Sequence, residues 1–324
     1  GVPELRKAIE TDPSYALPYK DLGKYYYDVN KYAEAKENYS KYMSMVTPTL
    51  PEEVQYANIL FLNNDYKDAL PLLEKAKVQD KANKYPNVVR MLGFAYYETG
   101  NNQKALEQMN YFLEHRDTTQ LLAQDFLYLG KIQKGMGQDS LAGVNYLLAF
   151  QMDSTLAGDI KIIADTLFEQ KKYAEAGKFY FAIAKSTDLA VDYFYATRAD
   201  YLGRQYQRGV EAADGIIRKL PEEVEGYLWK GRHYAQLDTL NKGAAAVPAF
   251  EKVLEKGKVD PEKYYKQLTE ALNWLTVYYI NVKKDFATAQ KYNDQALEID
   301  AGNEQVMKLF NFLLDATKTT PPKK

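Results

Sequence analysis

Apolar and small residues return along this chain with a helical period. Tyr19, Gly23 and Tyr26 stand at i, i+4 and i+7, and Ala35, Tyr39 and Tyr42 repeat that spacing. Such spacing puts three side chains on one stripe of each of two consecutive helices. The small member of the second stripe then recurs down the sequence. Ala35, Ala69, Ala105, Ala142, Ala176, Gly209, Ala246 and Ala289 are separated by 34, 36, 37, 34, 33, 37 and 43 residues. Twelve residues before the first six come Gly23, Ala57, Gly93, Gly130, Ala164 and Thr197. Gly231 and Thr276 fill that place ahead of loops longer by three and one residues. A repeated pair of small residues is what helical hairpins need where two backbones approach closely. Polar turns separate the helices, among them Val29-Asn30-Lys31-Tyr32, Asn63-Asn64-Asp65-Tyr66 and Glu98-Thr99-Gly100-Asn101. Asp260-Pro261-Glu262 reads as a helix start, with an N-cap, a proline at the first helical position and an early carboxylate.

Leu-Gly in the first helix (Leu22-Gly23, Leu92-Gly93, Leu129-Gly130), a following tyrosine (Tyr26, Tyr96) and an alanine opening the second helix form a consistent motif. With Asp12-Pro13 or Leu220-Pro221 closing it, and the segment Ala287 to Asp300, the pattern resembles the tetratricopeptide repeat (TPR). The resemblance implies an all-α, right-handed α-solenoid of about eight TPR hairpins, with a C-terminal capping helix. The expected divisions are 1–15, the end of a preceding repeat cut short; 16–303, eight repeats; 304–317, the cap, carrying Val306, Met307, Phe310, Phe312, Leu313 and Leu314; and 318–324, a disordered tail. A chain beginning mid-repeat is expected to be a fragment of a longer protein. Repeats six and seven depart from the pattern: Asp200 stands where an aromatic is expected, and Pro248 falls within the expected second helix.

The 324 residues are 46% hydrophobic and 27% charged, an ordinary globular balance, and the net charge is −2. Nucleic-acid binders gain affinity by neutralising phosphates, so a nearly neutral chain argues against nucleic acid as a partner. No apolar run approaches the roughly 20 residues needed for membrane insertion. The sequence holds no cysteine, which removes disulfides, thiolate nucleophiles and thiolate metal sites together. His115 and His233 have no Cys, His or paired carboxylate at ligand spacing, so both read as structural and no metal or other cofactor is expected. Gly130 to Gly137 lacks the Lys-Ser/Thr that a phosphate loop requires and reads as a hairpin turn. No catalytic group is singled out, and the chain reads as a non-enzyme. Cysteine-free composition rich in Lys, Asn, Asp and Tyr resembles envelope-exported bacterial members of the family, which favours a periplasmic or cell-envelope location over the cytoplasm.

Function then rests on surface. In the family, first helices line a concave groove that takes extended peptides or partner helices. Carried onto this chain, the stripe one residue past Tyr19, Gly23 and Tyr26 gives Lys20, Lys24 and Tyr27; Asn58 and Phe61; Arg90, Phe94 and Tyr97; Lys131 and Lys134; Lys161 and Phe168; Phe194, Arg198 and Tyr201; and Arg232. Cations alternate with aromatics, so the expected partner is a protein or peptide, acidic or carboxylate-bearing, held by a passive scaffold. The family's chaperone-tail clamp is not matched at Lys24, Gln55, Asn87 or Met91. The alternatives are self-assembly into a homo-oligomer, through the first hairpin or the helix after residue 304, and the regulatory half of a larger enzyme. On the groove reading, reversing Lys24 and Arg90 to Glu is expected to abolish binding and leave the thermal melt almost unchanged.

Overall fold

The computed structural model describes residues 1–82, 84–238 and 243–319. It divides into two compact units, Gly1–Asp153 and Ser154–Lys324. The first unit runs α1 (Val2–Thr11), α2 (Leu17–Asp28), α3 (Tyr32–Met45), α4 (Leu50–Leu62), α5 (Tyr66–Gln79), α6 (Asn87–Glu98), α7 (Asn102–Glu114), α8 (Ala123–Gly135) and α9 (Asp139–Met152). The second runs α10 (Ala157–Glu169), α11 (Tyr173–Thr187), α12 (Ala190–Leu202), α13 (Tyr206–Lys219), α14 (Val224–Leu237), α15 (Val247–Gly257), α16 (Tyr265–Tyr278), α17 (Phe286–Ile299) and α18 (Glu304–Thr319). No strand occurs among the described residues, and within each unit every helix packs on the next in sequence. Residues 320–324 of the expected tail lie outside the described residues, and α18 continues through 318 and 319.

Every member of both small-residue series is buried. The reason is a repeated plug. The residue one turn after the small residue of the second helix fills the space above the small residue of the first. A Cβ added at Gly23 would lie 3.0 Å from Tyr39, one at Gly93 2.6 Å from the Met109 sulfur, and one at Gly130 2.6 Å from the Tyr146 ring. Glycine here is a packing requirement rather than a conformational one.

The hairpin turns share one backbone device. Asn30, Asn64, Gly100, Gly137, Lys171, Arg204 and Lys284 all hold φ from 55° to 85°, each five residues before the small residue of its second helix. The amide of the following residue reaches back past the turn, as Lys31 to the Tyr26 carbonyl (2.8 Å) and Lys172 to the Leu167 carbonyl (2.9 Å). This left-handed C-cap satisfies carbonyls that the first helix leaves open. In the last hairpin the one extra residue is absorbed by a wide π turn, Tyr279–Lys283, and the reach-back bond runs from Asp285 to Tyr279 at 3.0 Å.

Two departures noted in the sequence find their reasons here, and one expectation is corrected. Pro248 does not interrupt a helix, because α15 begins at Val247 and proline sits in its first turn, where its missing N–H costs nothing. Asp260-Pro261-Glu262 is a turn, not a helix start; the Asp260 carboxylate accepts the Lys263 amide (3.1 Å) and α16 begins at Tyr265. Asp200, in place of an aromatic, is fully buried and takes the Arg208 Nε at 2.9 and 3.0 Å. Gly177 makes room for that pair, since a Cβ there would lie 2.0 Å from the Asp200 carboxylate.

Candidate functional site

In the first unit the predicted stripe opens into a cleft of about 380 Å³ between α2, α4 and α6. Tyr27, Asn58, Phe61 and Arg90 line it, with Val54, Met91 and the segment 84–88. That segment is pinned by Asp80, whose carboxylate accepts the amides of Lys84 (2.8 Å) and Tyr85 (2.7 Å). Tyr27 is half-buried, and burial raises its hydroxyl pKa above the ordinary tyrosine value. Phe61 meets the Tyr66 ring edge-on at 5.3 Å, while the half-buried Asn58 amide makes no hydrogen bond among the described residues.

The cations of the stripe are mostly engaged. Lys20 on α2 pairs with Glu52 on α4 at 2.6 Å, and this contact leads the causes that bring the Glu52 carboxyl down to about 2. Arg90 on α6 grips Asp125 on α8 with Nε and Nη2 at 2.7 and 2.8 Å, and Asp125 is fully buried. In the second unit Arg232 on α14 holds Glu270 on α16 through two bonds of 2.7 and 2.6 Å. Each pair joins one first helix to the next. Lys134 reaches Asp139 (2.9 Å), and Lys161 reaches Asp165 (2.9 Å). Lys24, Lys131 and Arg198 are the groove cations without an ion-pair partner among the described residues. Lys24 is exposed, Lys131 lies 5.2 Å from the Tyr128 ring, and Arg198 lies 5.1 Å from the Phe168 ring.

The aromatics divide the same way. Phe94 is not a groove contact: it is 5% exposed and stacks on Tyr128 at 3.8 Å, a core position between successive first helices. Tyr97 meets that Tyr128 ring edge-on at 5.7 Å and stays half-exposed. In the second unit Phe194 and Tyr201 both meet Trp229 edge-on, at 6.1 and 5.8 Å, and Phe168 meets Tyr173 at 5.0 Å.

The pairing also corrects the expected double reversal. Arg90 neutralises a carboxylate with no exposure, so Arg90→Glu places two carboxylates together in the interior and cannot leave the melt unchanged.

Sequence reasoning stopped the stripe at Arg232. In the second unit a larger cleft, about 630 Å³, lies along α16 and the start of α18, with Asn273, Trp274 and Val277 in its wall. The Asn273 side-chain oxygen is buried without a hydrogen-bond partner among the described residues. Counting the same offsets from Thr276 would have named Asn273 and Val277. No described helix is long and apolar enough to cross a membrane.

No family model and no curated protein matches this sequence. Among solved structures, the C-terminal part of a TPR repeat-containing protein from Cytophaga hutchinsonii is 25% identical, with 79% of this chain and 98% of that one covered and a TM-score of 0.44. A tetratricopeptide repeat protein from Parabacteroides merdae is 14% identical over 82% of this chain and 98% of that one, TM-score 0.38. The TPR2AB domain of yeast Sti1, solved in a complex with pHSP90, is 18% identical over 79% of this chain and 96% of that one, TM-score 0.31. The chain's own hairpins carry the fold: eight helix pairs from α2/α3 to α16/α17, their small residues buried in register and the turns of seven of them closed by one recurring left-handed cap, form the all-α array of helical hairpins that the TPR resemblance implied.

Proposed function

We propose that the chain is a non-catalytic scaffold that holds a peptide or helix of a partner protein along its first helices. The observation that carries this reading is the cleft between α2, α4 and α6, lined by Tyr27, Phe61 and an Asn58 amide with no hydrogen bond among the described residues. An amide placed so can both donate to and accept from a peptide backbone, while the rings cover its side chains. The charge preference is weaker than the cations of the stripe suggest. It rests on Lys24 and Lys131 in this unit and Arg198 in the other, the remaining groove cations being neutralised by carboxylates. Within the first unit, an acidic partner segment fits Lys24 and Lys131. The setting favoured by the cysteine-free composition is the cell envelope, which fractionation of native cells checks.

The test starts from a partner recovered with the full-length protein. Lys24→Glu combined with Asn58→Ala alters one exposed and one half-exposed side chain, so the fold persists. We expect the variant to bind that partner at least tenfold more weakly, with the same melting temperature. A partner held by the variant at wild-type affinity sinks the groove reading.

A further inference from the structure

The outward face of α9 differs from that of every other second helix. Take the positions one before and two, six and ten after the small residue of each hairpin crossing. On α3 these are Glu34, Glu37, Lys41 and Met45, and on α11 Glu175, Lys178, Ala182 and Ser186. The four corresponding positions hold at least one Lys, Arg, Asp or Glu in each second helix except α9. There they are Leu141, Val144, Leu148 and Met152, exposed by 54, 56, 38 and 49%. Ser140 and Gln151, also exposed, share the face. At 100° per residue the six span an arc of about 120°. The opposite side of α9 is already used: Ala142, Tyr146, Ala149 and Phe150 are buried against its own hairpin and core. A helix apolar on both sides is one that expects cover on both.

We propose that this face docks on the same face of a second copy of the chain, as an antiparallel helix pair about a two-fold axis. The sequence of the stripe is complementary to itself under that operation. Centred near residue 146, the axis sets Leu141 of one copy against Met152 of the other, Val144 against Leu148, and Ser140 against Gln151. Large meets smaller, polar meets polar, and each contact occurs twice, as an isologous interface requires. No charge lies on the face, so two copies meet without repulsion and without stranding an ion. A membrane surface fits poorly, because interfacial helices carry Lys or Arg beside their apolar stripe and α9 has none. A charged peptide partner would leave its own charges unpaired. The face is small. Fourteen residues give about 21 Å of helix. At a width of about 10 Å that is roughly 200 Å² per copy, against about 800 Å² for a stable interface. The dimer is therefore weak and fast, with a dissociation constant on the order of 0.1 mM or above.

Sedimentation velocity from roughly 10 μM to 1 mM reads this directly. The wild-type sedimentation coefficient is expected to rise toward the dimer, and Val144→Lys with Leu148→Lys, both at exposed positions, to remove the rise without changing the melting temperature. The chain has no cysteine, so Val144→Cys chains mixed with Leu148→Cys chains should give the mixed disulfide in excess over either homodimer. Homodisulfides in excess would overturn the antiparallel register. The proposal fails if the wild type stays monomeric throughout, or if the double-lysine variant associates equally well. It fails also if zwitterionic phosphatidylcholine vesicles deplete the wild type and not the variant, which assigns the face to lipid. A drop in melting temperature of a monomeric variant would show the stripe covered from within the chain and likewise overturn it.

Discussion

His233 is fully buried at a place where the plug pattern fails. The position one turn after Gly209 is Ala213, too small to fill the space, and the His233 ring fills it from the next helix instead: a Cβ on Gly209 would lie 1.9 Å from it. Its Nε2 sits 2.9 Å from the Thr197 hydroxyl, which donates to the Gly209 carbonyl at 3.0 Å, while Nδ1 has no partner. Burial depresses its pKa from 6.5 to about 4, with nearby Arg232 pushing the same way. The folded state therefore prefers the neutral ring. Its contribution is present above pH 6.5 and is lost as pH falls from there through 4, amounting to about 3 kcal/mol for a shift of this size. Asp200 works in the opposite sense. Burial pushes its carboxyl up to about 6 against the pull of Arg208, so its contribution grows as pH falls through 6. The two must be separated by difference. Denaturant melts of wild type and His233→Gln at pH 7.5 and pH 4.5 should show the wild type losing stability relative to the variant on acidification. Parallel pH dependence in the two proteins would assign the effect elsewhere.

Among the elements, the turns carry the least visible information. Asn and Gly are natural at positive φ, but Lys171, Arg204 and Lys284 adopt it too, at 60°, 57° and 55°. A β-carbon in that region costs on the order of 1 kcal/mol, which the surrounding hairpin imposes. Lys171→Gly and Lys284→Gly should each raise stability by about 0.5 kcal/mol, the strain relief being offset in part by the greater freedom of glycine when unfolded. Calorimetric melts that fall in both variants would contradict the cap geometry. The fold was legible because close helix crossings admit only small residues, so Ala105 or Gly130 announces its place by size alone. The turn cap was legible only where Asn or Gly stood in it. The groove stripe was legible as a direction, and Tyr27, Asn58 and Phe61 share the wall of one cleft. The fate of its cations was not. Glu52, Asp125 and Glu270 lie 32, 35 and 38 residues after their partners, one repeat downstream, where no local pattern looks. Sliding the sequence by one period would have shown them.

Across the molecule, a row of hairpins has stability set by each hairpin and its contacts with immediate neighbours, so damage spreads by one neighbour at a time. The bridge from Arg90 to Asp125 is such a contact. It joins α6 to α8, and the Asp125 carboxylate also accepts the Leu122 amide at 2.8 Å, at the entry to α8. Arg90→Ala leaves a carboxylate with no exposure and no cation, a change that costs about 3–5 kcal/mol in other buried pairs. Asp125→Asn with Arg90→Ala removes the stranded charge and should recover a good part of the loss, since the penalty comes from the unpaired ion and not from the missing contact. Hydrogen exchange resolves where the loss falls. Amides of α6 to α8 should exchange faster in Arg90→Ala, while those of α14 to α17, in the other compact unit, keep their wild-type protection. Equal acceleration across both sets of helices would mean that the chain unfolds as one cooperative body. Unchanged exchange in α6 to α8 would mean that the Arg90 bridge does not hold successive repeats together.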